Sequence, residues 1–481
     1  MSSFPRTLAD LKAGQDHLDS SQNFYGSLKE LRKSTLSIPN RLSSIAKDTE
    51  FVREVAAVYK LPVIANERCG SWYVPPELKA GSAYFKSTDG HTGQWMLSLR
   101  RLNLQVLDII GQHGGCILVD STRRGKTMPD AFSKTVPIWC AVMNRALFPE
   151  QQQFHHSQLS GVELSASEIA QVEGRLDGFL RAFQDLGLDQ QALKQRLGRP
   201  MVLQWVVGHS TDALPAVDWR TGEVDSPCHK IILCSASRRV KGAEMSEGGY
   251  IQGAGDDNES WSQDMTPQIF WAHKDMLFRT HESELPDLIN NLTLKEGRFR
   301  KPQRAVLIEP TSNLYITSWT ENEDCPYSDS DLAINCHSHE ADTHVASKRL
   351  NLKCGPGKRG SKDLRHKLHE VKVFAASALE RNPGCRIFIT CETGKDLSVG
   401  VALILLCLLY WCDGRCIFEC SGSGTTPLSG TAQSSRSCRK MQKIDKGFIR
   451  QRLAWITSSK PDANPSRSTL QSLHACLMER P

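Results

Sequence analysis

The sequence has no apolar run of the roughly 20 residues that a membrane-spanning helix needs. Its longest apolar run, Val399–Cys412, fits a buried core helix instead. The stretch MSSFPRTLADLKAGQ has no apolar core of the kind that marks a secretory signal. We therefore expect a protein with no membrane partner, working inside the cell with its sixteen cysteines reduced.

The chain also has little net charge, no internal repeat and no cysteine pair separated by just two residues. A net charge of +6 over 481 residues permits a polyanionic partner without requiring one. The absence of a repeat with a period of about 20–50 residues argues against a solenoid. The cysteine spacing lacks the paired ligands of common zinc sites. The length itself predicts two or three domains.

Helical patterns alternate with apolar strand patterns along the chain, which predicts an α/β architecture. The runs CILVD, MVLQWVV and HKIILCSA are continuously apolar, as buried parallel strands are. A second set of strand patterns, including DLAINCHS and CRIFIT, begins after a basic stretch near residue 304. We predict a flexible N-terminus over 1–20, one domain over 21–303 and a second over 304–481. The low-complexity segment 420–438 is expected to be mobile.

The stretch CILVDSTRRGKTMPD carries the strongest chemical signal of the first domain. Asp120 ends a buried strand and a basic loop follows it. Ligands of open α/β sheets bind beyond the carboxyl ends of the strands. A carboxylate there can orient a sugar hydroxyl or assist Mg²⁺, while the cations bind phosphates; the alternative is a basic surface turn. The loop residues predicted to bind phosphate are Ser121, Thr122, Arg123, Arg124, Gly125 and Lys126.

Three further polar stretches lie in the first domain. YFKSTDGHTGQW offers Lys86 and His91 to a phosphate, although its hydroxyl and acidic side chains fit a helix cap equally well. YIQGAGDDNESW places Asp256 and Asp257 side by side after a glycine turn, where they either share Mg²⁺ on a pyrophosphate or form a solvated turn. NERCGSWY puts Arg68 beside two aromatic residues, which fits a base-stacking or phosphate site and also ordinary packing.

The second domain carries the stretch CETGKDLSVG between the apolar runs RIFIT and VALILLCLL. A strand, a glycine-bearing loop and a buried helix form the layout of a phosphate cradle. Cys391, Gly394 and Ser398 match the loop of the dual-specificity phosphatases, and this half of the chain resembles that fold. Thr390 and Leu397 replace the histidine and the arginine of that loop.

Two groups that a cysteine phosphatase needs are missing from this half of the chain. The missing arginine grips phosphate oxygens in the transition state. The basic, glycine-rich stretch GPGKRGSKD is predicted to be the loop where the general-acid aspartate is usual, and it has no acid before Asp363. We expect the loop to bind a phosphate without hydrolysing it. A plain strand-to-helix turn and a live phosphatase acting through its cysteine are the alternatives. The loop residues in this prediction are Cys391, Glu392, Thr393, Gly394, Lys395, Asp396 and Ser398.

Basic residues crowd around this loop in two segments. KRLNLKCGPGKRGSKDLRHK carries eight Lys/Arg against one Asp, and AQSSRSCRKMQKIDKGFIRQR carries seven against one. Such patches favour long polyanions, because each neutralised phosphate releases counterions. We predict nucleic-acid binding, with a backbone phosphate in the cysteine loop; a solvated surface with helix caps is the alternative. The predicted contact residues are Lys358, Arg359, Lys362, Arg365, Arg439, Lys440 and Lys443.

Taken together, five stretches resemble the initiator-tRNA 2′-O-ribosyl phosphate transferases, from about residue 20 to the C-terminus. They are NERCGSWYVPP, AYFKSTDGHTGQWMLSLRRLNL, GGCILVDSTRRGKTMPDAFSKTVPIWCAVMNRA, YIQGAGDD and CETGKDLSVGVALILLC. The resemblance implies a cytoplasmic pentosyltransferase that moves a 5-phosphoribosyl group from phosphoribosyl pyrophosphate (PRPP), with Mg²⁺, to the 2′-hydroxyl of adenosine 64 in the T-stem of initiator methionine tRNA. That mark keeps the tRNA out of elongation.

The resemblance also implies a mixed α/β N-terminal catalytic domain followed by a C-terminal α/β domain like the dual-specificity phosphatases, with RNA and not DNA as partner. Asp120 would orient the donor ribose or assist Mg²⁺, and Asp256, Asp257 or His91 would draw the proton from the attacking hydroxyl. A cysteine phosphatase and a non-catalytic tRNA-binding protein are the competing functions. The sequence does not indicate an oligomeric state.

Overall fold

The structure is a computed structural model. It describes residues 36–87, 95–159, 164–207, 227–240, 249–256, 261–298, 304–319, 327–328, 331–337, 348–355, 357–419 and 444–478. The expected flexible N-terminus and the expected mobile segment 420–438 lie outside these residues. None of the helices among the described residues is long and apolar enough to cross a membrane.

The chain divides into two compact units. The first comprises 1–97, 106–180 and 190–299, and the second comprises 98–105, 181–189 and 300–481. The division near residue 300 lies beside the predicted boundary at 303/304. The two short segments of the first half that belong to the second unit are not indicated by the sequence, because their placement depends on packing and not on local pattern.

The described part of the first unit contains one sheet of five parallel strands. The strands are β1 (Val63–Asn66), β2 (Lys79–Ala83), β3 (Gly115–Asp120), β4 (Met201–Val207) and β5 (His229–Ser235). Their order across the sheet is β2-β1-β3-β5-β4, and every neighbouring pair is parallel. Every residue of β1 and β3 is buried, as expected for parallel strands with both faces covered. The predicted α/β class is confirmed.

Eight helices accompany this sheet in the described residues. They are α1 (Ile38–Tyr59), α2 (Gln105–His113), α3 (Val136–Leu147), α4 (Ala166–Glu173), α5 (Leu176–Gln184), α6 (Gln190–Leu197), α7 (Pro267–Arg279) and α8 (Leu285–Arg298). Buried side chains of α1, α7 and α8 form one core cluster with β1, β3 and β5. All but one residue of α3 are buried, so its apolar composition reflects a core position.

The second unit, over the residues described there, contains another five-stranded sheet and four helices. Its strands are β6 (Val306–Leu307), β7 (Leu314–Ser318), β8 (Leu332–Asn335), β9 (Arg349–Asn351) and β10 (Ile387–Cys391), and its helices are α9 (Gly357–Arg381), α10 (Leu397–Leu409), α11 (Lys446–Ser459) and α12 (Arg467–Met478). The order is β6-β7-β10-β8-β9, with only β6 antiparallel to its neighbour. The predicted buried helix is α10, which sits in the core with the other three helices.

Candidate active site and phosphatase-type loop

The strand order of the first unit places a topological switch point at the carboxyl ends of β1 and β3. The chain passes from β1 to β2 on one side and then crosses to β3 on the other side. Ligands of open α/β sheets bind at such a switch point, because the connecting segments diverge there and leave the strand ends uncovered. The residues that follow β1 and β3, from Glu67 and from Ser121, therefore border the candidate site.

Asp120, the last residue of β3, is fully buried and its carboxylate is surrounded by donors. Arg68 donates from Nε to Oδ2 at 3.2 Å and from Nη2 to Oδ1 at 3.1 Å. Asn66 Nδ2 donates to Oδ2 at 2.8 Å, and the Cys69 thiol and the Ser121 backbone N–H donate to Oδ1 at 2.9 and 2.8 Å. With both oxygens engaged, this geometry favours an orienting role for Asp120 over direct contact with sugar or metal.

Arg68 joins Asp120 to a second carboxylate, that of Asp256. Its Nη1 lies 3.3 Å from Asp256 Oδ2, and the two side chains are 19% and 10% exposed. Burial raises the pKa of Asp256 to about 6, opposed by the Arg68 charge and reinforced by the Asp120 charge. One guanidinium thus serves two buried acids, and Asp256 is the one of the pair that reaches solvent.

Two glycines bring Asp256 to this position. Gly253 has φ +69°, and a Cβ on it would stand 2.7 Å from the backbone oxygen of Thr122. The N–H of Gly255 donates to the Tyr73 hydroxyl at 2.8 Å. The glycine turn therefore lies directly against the loop that follows β3, which leaves no room for a side chain at position 253.

In the predicted phosphate-binding loop, some basic side chains are at least partly exposed to solvent and one is paired with an acidic residue. Arg123 is exposed and Arg124 is half-buried. Lys126 Nζ lies 2.7 Å from Asp130 Oδ1. Gly125 has φ +87°, the left-handed conformation that its turn requires. Ser121 and Thr122 are buried beneath the turn, so they support it more than they border solvent.

Of the other predicted site residues of the first unit, one lies within the described residues and two lie outside them. Lys86 is exposed, and its backbone oxygen accepts from Thr135 Oγ1 at 2.8 Å. His91 and Asp257 lie outside the described residues. Sequence reasoning missed the hydrogen bonds that Arg68, Asn66 and Cys69 make to Asp120. A usable signal was present, namely polar residues directly at the end of a buried strand.

A magnesium site of protein ligands alone does not form among the described residues. No group of three or more histidine, cysteine, aspartate or glutamate side chains there is placed to hold a metal ion. Asp256, one of the two predicted ligands, instead faces Arg68. A guanidinium beside a carboxylate competes with a cation for the same oxygens, so these residues do not fit a closed metal cage.

In the second unit, Cys391 ends β10 and is 5% exposed. Its Sγ lies 3.1 Å from Ser398 Oγ. Gly394 has φ +64°, and a Cβ on it would stand 2.8 Å from the Ser318 nitrogen. The loop therefore keeps the compact glycine turn of a phosphate cradle.

The cavity above this loop is small and bordered by acids. Its volume is about 170 Å³, and the described residues that line it include Glu392 and Asp396 but no lysine or arginine. Leu397, at the arginine position, packs against the core of the second unit. The cavity is large enough for a phosphate group, but two carboxylates in its lining disfavour a dianion. The predicted phosphate binding stays a prediction, and the lining favours the plain turn.

The remaining polar groups of the loop are engaged within the protein. Asp396 Oδ1 accepts from the Ser466 N–H at 2.8 Å and from Thr469 Oγ1 at 2.6 Å, at the N-terminus of α12. Lys395 Nζ lies 3.6 Å from Asp462 Oδ2. These bonds attach the loop to the chain that leads into α12.

The first basic segment contains a helix start where the sequence predicted a loop. The GKRGSKD stretch forms the first turns of α9, which begins at Gly357. The side chain of Asp363 accepts from the Gly355 N–H at 2.9 Å, satisfying a donor just before the helix. The predicted tRNA-contacting residues on these turns are all exposed; they are Lys358, Arg359, Lys362 and Arg365. The others, Arg439, Lys440 and Lys443, lie outside the described residues.

The fold and these sites define a two-domain α/β protein, with an arginine–carboxylate cluster at a sheet switch point and a phosphatase-type loop without its arginine. The chain belongs to the Rit1 family. The family model described as the Rit1 N-terminal domain matches residues 31–294, and the one described as the Rit1 DUSP-like domain matches residues 348–477. The predicted family and the predicted dual-specificity-phosphatase-like domain are confirmed.

Two relatives match along nearly the whole chain. An uncharacterized protein of Schizosaccharomyces pombe is 34% identical over 460 residues, covering 91% of this chain and 94% of the relative. The tRNA A64-2′-O-ribosylphosphate transferase of Saccharomyces cerevisiae is 31% identical over 521 residues, covering 95% of this chain and 96% of the relative.

Proposed function

We propose that this chain transfers a 5-phosphoribosyl group from PRPP to the 2′-hydroxyl of adenosine 64 in initiator methionine tRNA. Family membership supports the transferase class, because the S. cerevisiae relative is named for ribosylphosphate transfer to tRNA A64. The donor PRPP, the choice of initiator tRNA and a cytoplasmic site of action are the finer parts of the proposal. They come from the family resemblance and fit a chain with exposed basic residues.

The cluster of Arg68, Asp120 and Asp256 carries the assignment of the reaction to the first unit. In the transfer, the bond from ribose C1 to pyrophosphate breaks, and pyrophosphate leaves with the electron pair. A bond from the tRNA 2′-oxygen to C1 forms, and the hydroxyl proton passes to a carboxylate. Asp256 suits that last step, because a carboxyl whose pKa is about 6 is ionised at neutral pH and still basic enough to accept a proton.

The other residues have supporting roles. Arg123 and Arg124 would bind donor phosphates and stabilise the negative charge that develops on pyrophosphate. Asp120 would act through Arg68, holding its guanidinium against Asp256. We retain Mg²⁺ as a companion of the pyrophosphate, where it would supply positive charge; magnesium commonly binds through substrate phosphates with few protein ligands.

One experiment tests the proposal directly. Purified protein is mixed with PRPP, Mg²⁺ and initiator methionine tRNA, and the tRNA is weighed by mass spectrometry. A gain of one ribosyl phosphate supports transfer. Initiator tRNA with a 2′-O-methyl group on adenosine 64 is the matched control, because it lacks only the attacking hydroxyl. An unchanged mass for the unmodified tRNA, or an equal gain on the control, overturns the proposal.

The same mixture separates the competing functions. Tight tRNA binding with no mass gain indicates a non-catalytic tRNA-binding protein. Hydrolysis of an aryl phosphate that disappears in Cys391→Ser indicates a phosphatase. The acidic lining of the cavity and the leucine at position 397 argue against that second outcome.

A further inference from the structure

The segment after β5 repeats the pattern of the segment after β3. TRRGK follows β3 and SRRVK follows β5, each with a hydroxyl residue, two arginines, one variable residue and a lysine. The strands are parallel neighbours, and Asp120 pairs with Ser235. Thr122 and Ser237, which begin the two patterns, each lie two residues beyond that pair. The two patterns therefore start in register at the same edge of the sheet, and the last residue of the second, Lys241, lies outside the described residues.

Hydrogen bonds hold the starts of the two segments together. The Thr122 N–H donates to Ser237 Oγ at 3.2 Å, and Ser237 Oγ donates to the Thr122 backbone oxygen at 3.1 Å. The Ala236 N–H donates to the Asp120 backbone oxygen at 2.8 Å. The two arginine pairs thus follow segment starts that are hydrogen-bonded to each other.

Each segment exposes one of its two arginines. Arg123 and Arg239 are exposed, and the hydrogen bond from Arg239 to Thr127 Oγ1 is long, at 3.5 Å. Within the described ranges, no carboxylate is ion-paired with either. Arg238, by contrast, lies over the Tyr250 ring at 4.6 Å, so it serves packing. Two unneutralised guanidiniums on adjoining segments favour an anionic ligand.

The strand ends from which the two segments start also carry polar side chains. Thr122 Oγ1 and Ser235 Oγ are both buried, and neither has a hydrogen-bond partner among the residues that the structure describes. Buried hydroxyls without a partner are uncommon. The strand ends from which the two arginine segments start therefore have hydrogen-bonding capacity that the described residues do not use.

We propose that the segment after β5 is the second half of a phosphate-binding edge, in which Arg239 acts together with Arg123. The ligand chemistry is a phosphate or diphosphate group, carried either by the ribosyl donor or by the tRNA backbone. The choice of these two phosphate sources rests on the proposed function. Phosphate binding by this edge can be measured without any transfer of a ribosyl group.

The test compares Arg239→Ala with Arg279→Ala, an exposed arginine at the end of α7 that serves as the matched control. Inorganic pyrophosphate binding is measured by calorimetry, and initiator tRNA binding is measured without PRPP by fluorescence anisotropy. Loss of a charge-assisted contact predicts about tenfold weaker binding of one probe. Arg239→Lys should recover part of the loss. Melting temperatures should match, because the side chain is exposed.

The pattern of losses identifies the source. Weaker pyrophosphate binding with normal tRNA binding assigns the edge to the donor, and the reverse assigns it to the RNA backbone. Arg123→Ala should weaken the same probe. If Arg239→Ala binds both probes like the Arg279→Ala control, the inference is overturned. If wild-type protein fails to modify tRNA but Arg239→Ala still loses affinity, the proposed function fails and the phosphate edge stands.

Discussion

Two loops of this chain begin where a buried parallel strand ends, and they differ in charge. The loop after β3 starts from Asp120 and turns at Gly125, and the loop after β10 starts from Cys391 and turns at Gly394. Both glycines have positive φ, +87° and +64°. The backbone layout is therefore shared, and it is the side chains that decide what each loop can bind.

The first loop begins with a buried carboxylate and exposes an arginine. Asp120 is buried against Arg68, and Arg123 faces solvent. In the second loop the acids Glu392 and Asp396 line the cavity. Exposed positive charge favours an anion and exposed carboxylates disfavour one, so we expect the two loops to differ in what they bind. A strand, a glycine turn and a helix thus identify a loop geometry without identifying its ligand.

Removing Arg68 should have the largest effect on the first loop. Arg68→Ala leaves Asp120 buried without its ion partner, which typically costs about 3–5 kcal/mol of unfolding free energy. Urea unfolding followed by circular dichroism measures the loss. Arg123→Ala, which removes an exposed arginine nearby, should unfold within about 0.5 kcal/mol of wild type. Equal stability of the two variants would contradict the buried cluster.

The raised pKa of Asp256 should appear in the pH dependence of stability. The folded state holds this proton up to pH about 6, whereas the unfolded chain releases it near pH 4. The contribution of Asp256 to the unfolding free energy should therefore fall as pH rises from about 4 to 6, by up to about 3 kcal/mol. Carboxyls with a lowered pKa, such as Glu67 and Asp331, act in the opposite direction, so the quantity to measure is the difference between wild type and Asp256→Asn at each pH. A difference that stays constant or rises through this interval would argue against the raised pKa.

Asp120→Asn should separate catalysis from RNA binding. The amide keeps the shape of the carboxylate but loses the charge that orients Arg68, and misplacement at a catalytic cluster costs on the order of 100-fold in rate. We expect transfer to fall by at least about 100-fold, to the limit of detection by mass spectrometry, while tRNA affinity measured by anisotropy stays at the wild-type level. Near-normal turnover would remove Asp120 from the mechanism.

The exposed basic face of α9 should govern the salt dependence of tRNA binding. The triple variant Lys358→Ala, Lys362→Ala, Arg365→Ala should bind tRNA about tenfold more weakly and lower the slope of log affinity against log salt. Lys372→Ala, farther along the same helix, is a single-charge comparison. An unchanged slope in the triple variant would place the RNA elsewhere.

The smallest effect is expected at the cysteine loop. Cys391→Ser changes one atom in a cavity whose lining disfavours phosphate, so transfer should change less than about twofold. The same variant should have no effect on hydrolysis of an aryl phosphate, because the arginine position is Leu397. A large loss of transfer would show that the second loop takes part in the reaction after all.

Much of this arrangement follows from local sequence. Continuous apolar runs predicted β3, β4 and β5 as buried strands. This is right for β3 and β5, whereas β4 lies at the sheet edge and is only partly buried. The acid at the end of CILVD marked the candidate site. The basic, glycine-rich stretch GKRGSKD was predicted as a loop and proved to be the first turns of α9, where Asp363 accepts from the Gly355 N–H just before the helix. Single glycines weaken a helix by only about 1 kcal/mol, which packing overrides.

Residues close together in the chain were enough to establish the family, the α/β class and the glycine turns at two strand ends. Packing was needed to show that Arg68 joins Asp120 to Asp256, residues 52 and 188 positions away from it. Packing also brings the starts of TRRGK and SRRVK to one edge. Parallel pairing places distant strand ends side by side, and which ends become neighbours depends on strand order and not on any local pattern.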